Sequence, residues 1–188
     1  MRTAQVRLNE LNASDESPRI EALRARAIGK SVMGTVISFS NEPGLGGVYL
    51  LLGANWGLEA KGDTRYWPEG VPDTEKIQKG MATQCATASM LNMAVRPQMA
   101  VERVDGKTLV VVFVPEADAS QKPIYLRATG LPKGGFRRTG STDQRCVDED
   151  LWVLRGESQP AFDIEPHPVT APEVRDLRES THQRHTLP

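Results

Sequence analysis

Cysteine is nearly absent from this chain: there are two in 188 residues, Cys85 and Cys146. That count speaks against a disulfide framework and fits a reduced, cytoplasmic setting. The three histidines, His167, His182 and His185, all lie in the last stretch of sequence. A Ser-His or Cys-His nucleophile, or a zinc site, in the rest of the chain is therefore nearly excluded. Aromatics make up only 5%, so the core has to be aliphatic. The longest apolar run, residues 109–114, is far short of the ~20 residues that span a bilayer. No apolar segment follows the charge at the start, so no secretory leader is expected. Net charge is also lacking, with 23 Lys+Arg against 24 Asp+Glu. This excludes a uniformly basic protein of histone type. It does not exclude nucleic-acid binding, because a balanced total can hide a one-sided distribution.

What is present divides the chain in two. From residue 157 onward prolines recur (Pro160, Pro166, Pro168, Pro172, Pro188) without sustained apolar periodicity. This part reads as a tail or linker with at most a short helix near residues 172–179. Residues 1–156 read as one folded domain. A short strand is expected within 17–23. Ile28, Val32, Val36 and Ile37 form a helical stripe over 27–40. Residues 48–54 (VYLLLGA) read as a buried strand, and 55–72, with Trp56, Tyr66 and Trp67, as a loop.

Asp73-Thr74 supplies cap chemistry for a second helix carrying Ile77, Met81, Cys85 and Ala88 on one face, which makes Cys85 most simply a small buried hydrophobe. Asp105-Gly106 between two apolar runs is a hairpin signature over 97–114. Residues 123–129 and 136–139 read as further strands. Ser141-Thr142-Asp143 reads as the cap of a last helix over 143–155 with Val147, Leu151 and Leu154 inward. The order predicts an α/β (α+β) domain: a mixed sheet with about three helices packed on it.

Local charge carries the chemistry. Between residues 122 and 145 stand Lys122, Arg127, Lys133, Arg137, Arg138 and Arg145 against one acid, Asp143. Glycines and hydroxyls intervene, Ser141 and Thr142 among them. Glycine lets backbone approach a phosphate, hydroxyls and helix-start amides donate to its oxygens, and arginine matches its geometry. The plainer alternative is a solvated hairpin with ordinary basic residues. Pro43-Gly-Leu-Gly-Gly47 has the order helix, glycines, strand, the reverse of a phosphate loop, and reads best as a tight turn. Glu16 and Glu21 are a carboxylate pair that, with a third acid, could hold Mg²⁺ or Mn²⁺ for phosphodiester hydrolysis; spacing alone is weak support.

Several of these segments recur in one known family. Val36-Ile-Ser-Phe39, Asn41-Glu-Pro-Gly-Leu-Gly-Gly47 and Tyr49-Leu-Leu-Leu-Gly53 resemble the "AFAN…GG-LLLG" core of the Schlafen AlbA-like domain. Val111-Val-Phe-Val-Pro115, Lys122-Pro123 and Gly135-Phe-Arg-Arg-Thr-Gly-Ser141 resemble its "V-V-P…KP…R-GS" ending, in the same order. The resemblance spans about residues 16–155. It implies a DNA-binding domain of bacterial and archaeal regulators and helicase-related proteins, in which an ATP-binding or winged-helix part often follows. Some animal relatives cut RNA with two glutamates and an aspartate. Glu16 and Glu21 match the glutamates, but Ala54-Asn55-Trp56 stands where the aspartate is expected, Glu59 being the nearest acid. The family's "E-F-K" lysine is also missing, Glu21-Ala22-Leu23 standing there.

The leading expectation is a cytoplasmic, transcription-regulator-like module that binds DNA, or RNA, through phosphate contacts from Lys122, Arg127, Lys133, Arg137, Arg138 and Arg145, with Ser141 and Thr142 donating hydrogen bonds. No cofactor, metal site or membrane partner is expected, and self-association or a further C-terminal domain is compatible with it. The rivals are a Schlafen-type metal-dependent endoribonuclease using Glu16 and Glu21, and a nucleotide- or protein-binding regulatory domain anchored by Trp56, Tyr66 and Trp67.

Overall fold

Two strands run through the middle of the core, because both of their faces are covered. In β2 (Val48–Leu52), Val48, Leu50 and Leu52 join one buried cluster, while Leu51 joins a second. In β6 (Lys107–Val114), Val110, Val112 and Val114 join the first cluster, and Leu109 and Val111 the second. Alternate residues of a strand point to opposite faces, so a strand covered on both sides reads as an unbroken apolar run. The computed structural model describes residues 3–24, 26–58, 64–86 and 90–156.

These strands form the centre of a four-stranded sheet of order β1-β2-β6-β5, where β1 is Ile20–Leu23 and β5 is Gln98–Val104. β1 runs parallel to β2, and the other pairs are antiparallel. Asp105 and Gly106, at φ 50° and 74°, make the two-residue turn between β5 and β6 that the Asp-Gly pair predicts. On the first face lie α2 (Lys30–Asn41) and α3 (Thr74–Ala86). Asp73 caps α3 by accepting from the Lys76 amide (2.9 Å), and Ile77, Met81 and Cys85 are fully buried, as their spacing predicts. Ala88 lies outside the described residues, as does everything from residue 157 on, including the expected tail and its helix.

Four expectations are corrected. A helix, α1 (Ala4–Ser14), covers the second sheet face through Ala4, Leu8 and Leu11. Its apolar stripe is interrupted by Arg7, which is why no periodicity stood out. The expected loop at 55–72 contains a hairpin, β3 (Ala54–Leu58) with β4 (Thr64–Pro68), in which Asn55 and Gly57 are residue types depleted in strands. Asn12 holds β4 to α1, donating to the Tyr66 carbonyl (2.9 Å) and accepting from its amide (2.8 Å).

Residues 123–129 form no strand and make only isolated bridges, Leu91 to Leu126 and Tyr125 to Gly135. Side chains replace a ladder there. Finally, Thr142–Arg145 is a strand, β8, paired with β7 (Phe136–Thr139), and the last helix, α4 (Asp148–Arg155), starts later than expected. Leu154 is buried, but Val147 is 55% exposed rather than inward. Three acids in the first turn of α4, with Asp150 accepting from the Val147 amide (2.9 Å), start the helix there.

Residues 33–41 of α2 are all buried, including Thr35, Ser38 and Asn41, because the β7–β8 hairpin packs on the side away from the sheet. Asn41 is fully enclosed. It donates to the carbonyls of Ile124 (2.8 Å) and Phe136 (3.0 Å) and accepts from the Ile124 amide (2.7 Å). Asn92 repeats the device, donating to the Pro123 carbonyl (3.0 Å) and accepting from the Tyr125 amide (2.8 Å). Replacing Asn41 with Ala strands these buried backbone groups. We expect a loss of about 2–4 kcal/mol, read from the midpoint of urea unfolding with an unchanged m-value.

Candidate nucleic-acid interface

The six cations of the basic segment fall into two groups of three. The first group is spent inside the protein. Arg138 in β7 has a fully buried side chain beside the Phe39 ring, 5.0 Å from its centroid. Its Nη1 is held by the Glu21 carboxylate and by Asp143 (3.0 Å), and its Nη2 donates to the Ser17 carbonyl (3.3 Å). Hydroxyls of α2 complete the cluster. Thr35 donates to Asp143 Oδ2 (2.6 Å) and Ser38 to Asp143 Oδ1 (2.5 Å), with Thr35 also 3.3 Å from Glu21 Oε1. β1, α2, β7 and β8 thus meet at one guanidinium.

Lys122 is also withdrawn, its side chain 5% exposed and its Nζ 2.8 Å from Glu116. Glu116 accepts in addition from the amides of Gly44 (3.1 Å) and Gly46 (2.8 Å). The glycine turn at 43–47 therefore points its donors at an anion, but the anion is the protein's own carboxylate. Burial opposes the charge on Glu116, yet Lys122 and the two amides outweigh it and hold the carboxyl down to about 2. Arg137 bridges Asp150 of α4 (3.1 Å) and Glu42 (3.6 Å). These three positions consequently leave the set of cations open to a phosphate.

The second group, Arg127, Lys133 and Arg145, is exposed. Backbone bonds bring its members together. The Leu126 amide donates to Gly134 (2.9 Å), placing Arg127 beside Lys133. Arg145 Nη1 donates to the Lys133 carbonyl (2.7 Å), with its guanidinium over the Phe136 ring, 5.5 Å from the centroid. Gly134 sits so tightly that an added Cβ would lie 2.6 Å from the Gly130 carbonyl and 2.7 Å from that of Leu126, so this knot requires glycine. Ser141 and Thr142 are exposed at the turn of the β7–β8 hairpin, with Gly140 at φ 61°. They do not stand at a helix start, where the sequence reading put them.

Glu16 and Glu21 do come close to each other and to Asp143. Glu16 accepts from the Ala22 amide (3.0 Å), and burial foremost raises its pKa. Burial, then the Asp143 charge, pushes the Glu21 carboxyl up to about 7 against the pull of Arg138. Arg138 is the counter-charge of this group, and among the described residues no set of three acid, His or Cys side chains is arranged to hold a metal ion. Among the described residues, too, no helix is long and apolar enough to cross a membrane. Sequence reasoning missed Asp143, Thr35, Ser38 and Asn41 as partners. The signal was there in part: Thr35, Ser38 and Asn41 recur at a spacing of three among the apolar residues of α2.

The fold and these clusters define an α+β domain whose second layer, the β7–β8 hairpin and α4, is held to a central helix by buried polar groups. No protein-family profile matches the chain, and no curated protein does. Among solved structures it is similar to the N-terminal domain of a RecG-related protein from Nitrosomonas europaea, whose name assigns that protein provisionally to the ATP-dependent DNA helicases. The identity is 63% and the TM-score 0.65, over 78% of this chain and 95% of that domain. The chain belongs to the family of that N-terminal domain. The DIP2311 protein from Corynebacterium diphtheriae matches at 17% identity and a TM-score of 0.48, over 83% of this chain and 33% of that one, a level that carries no inference.

Removing Arg138 leaves buried carboxylates without their cation, so Arg138→Ala should cost about 3–5 kcal/mol near neutral pH. Glu21 adds a pH dependence. Its raised pKa means the folded protein holds a proton that the unfolded chain has released, between about pH 4.5 and 7. The stability this confers is fully present below 4.5 and lost as pH rises through 7. Stability therefore falls across that window, by at most about 1.4 kcal/mol per pH unit for one proton. Urea midpoints of wild type and Glu21→Gln across this range should show a flatter profile in the variant; parallel profiles would place the proton elsewhere.

Proposed function

We propose that this domain is a nucleic-acid-binding module of Schlafen AlbA-like type that grips the phosphate backbone of DNA through Arg127, Lys133 and Arg145. The observation that carries the reading is the knot around residues 126–135. It gathers three exposed cations, while the other three cations of the same segment are locked to acids beneath them. So constrained a backbone has little freedom of its own to lose when a phosphate docks on these side chains.

Ser141 and Thr142, at the turn of the hairpin whose other end carries Arg145, add hydroxyl donors. Lys122, Arg137 and Arg138 act indirectly, by holding the loop and hairpin in place. Membership in the family of a domain found on a RecG-related protein supports nucleic acid as the ligand. Contacts of this kind position a protein on a duplex without reading bases, so DNA is the first ligand and RNA the second. The module binds and does not catalyse, acts in the cytoplasm, and works within a regulator or helicase-related assembly.

Three neutralised phosphates give log K against log salt a slope of about −3 on duplex DNA. Arg127→Ala, Lys133→Ala and Arg145→Ala should each reduce that slope by about one and weaken binding evenly across unrelated sequences. Fluorescence anisotropy with labelled duplexes at several salt concentrations measures this. An affinity indifferent to salt would remove the reading.

A further inference from the structure

The β3–β4 hairpin carries exposed aromatic surface that the phosphate-gripping loop does not use. Trp56 is 40% exposed and Trp67 39%. In an antiparallel pair, residues directly opposite share a face. Trp67 stands opposite Asn55, and Arg65 opposite Gly57, so these four form one side of the hairpin. The other side carries Ala54 and Tyr66, which are buried in the core cluster shared with α1. The Trp67 side therefore faces away from the domain.

Gly57 decides how Trp67 lies on it. An added Cβ at Gly57 would meet the benzo edge of the indole at 3.1 Å and 3.6 Å. The ring occupies the space a side chain would fill, lying against the strand with its outer face open. Its neighbours on that side are a carboxamide, a guanidinium and a glycine, not an aliphatic patch. Trp56, paired opposite Tyr66, lies on the other side of the hairpin; Arg24 sits over its ring, 5.4 Å from the centroid, and Arg24 and Arg26 both approach Glu69, at 3.9 and 3.8 Å.

An extended apolar protein surface would be poorly matched by one ring in so polar a setting. A flat, polar-edged π-system with an anion attached is well matched: it can stack on the indole and present its edge to Asn55 and its phosphate to Arg65, on the same face. We propose that the Asn55–Gly57–Arg65–Trp67 face is a stacking site for an unpaired nucleobase, so that the domain engages single-stranded nucleic acid, or a junction between duplex and single strand. This rests on the nucleic-acid reading above, but uses a different surface and a different part of the ligand. A duplex buries its base faces in its own stack, so only an unpaired base can occupy the site.

The test compares the full chain and Trp67→Ala on a labelled single-stranded oligothymidylate and on a blunt duplex of mixed sequence, by anisotropy at fixed salt. Loss of base stacking should weaken single-strand binding by about tenfold or more and leave the duplex affinity unchanged. Trp67→Phe, which keeps an aromatic face, should recover most of the loss, showing that the effect is stacking rather than misfolding. Equal affinity of wild type and Trp67→Ala for the single strand would overturn the proposal and leave this face to a protein partner. Equal losses on single strand and duplex would overturn it as well. Binding of single strand that depends on Trp67, with no binding to the duplex, would support this site while removing the phosphate-gripping loop as a duplex contact. Duplex binding with no single-strand binding would remove this site alone.

Discussion

The buried guanidinium of Arg138 is the point to which the second layer of this domain is tied. A charged side chain with no exposure is costly unless its partners surround it. Here they come from three elements and a loop: Glu21 on β1, Asp143 on β8, the Ser17 carbonyl before β1, and, through Asp143, the hydroxyls of Thr35 and Ser38 on α2. None can move far without exposing a neighbour's unpaired charge. The β7–β8 hairpin has little apolar surface of its own, and this network, with Phe136 against Gly34, seats it on α2. Arg145, at the end of β8, takes its position from that seating.

The same economy recurs along the basic segment. Glu116 satisfies Lys122 and two glycine amides at once, Asn41 satisfies three backbone groups, and Asn92 two more. Residues 123–135 thus have a defined path with almost no ladder hydrogen bonding. A loop held by side chains at its start and by its own turn hydrogen bonds beyond can be shaped for a ligand in a way that a regular hairpin cannot, and it keeps Arg127 and Lys133 at its surface beside Arg145.

How far the sequence disclosed all this depended on the range of the interactions involved. α2, α3, β2 and the β5–β6 hairpin were legible because periodicity, an Asp cap and an Asp-Gly turn are local signals. The strand expected at 123–129 failed because its backbone partners, Asn41 and Asn92, lie some thirty to eighty residues away in sequence. The helix expected from residue 143 failed because pairing with β7 outweighed the cap-like Ser141-Thr142-Asp143. α1 was invisible because Arg7, stacked 3.4 Å from the centroid of the Tyr49 ring, occupies a buried position that pattern reading reserves for an apolar residue. The basic cluster was legible as composition and illegible as geometry, since no sequence rule separates a cation that is exposed from one that is enclosed.

By itself, the chain determined an α+β domain with an aliphatic core, no disulfide framework, and a strongly basic segment near its end. Those properties follow from residue counts and short-range spacing. The tertiary structure decided which charges remain available. Lys122, Arg137 and Arg138 are neutralised by Glu116, Glu42, Asp150, Glu21 and Asp143, while Arg127, Lys133 and Arg145 are left at the surface. It also turned an apparent loop into the hairpin that carries Trp67 away from the core. The physical reason is the same in both cases. Charge pairing and strand pairing act across space between residues distant in sequence, so their outcome exists only once the chain has folded.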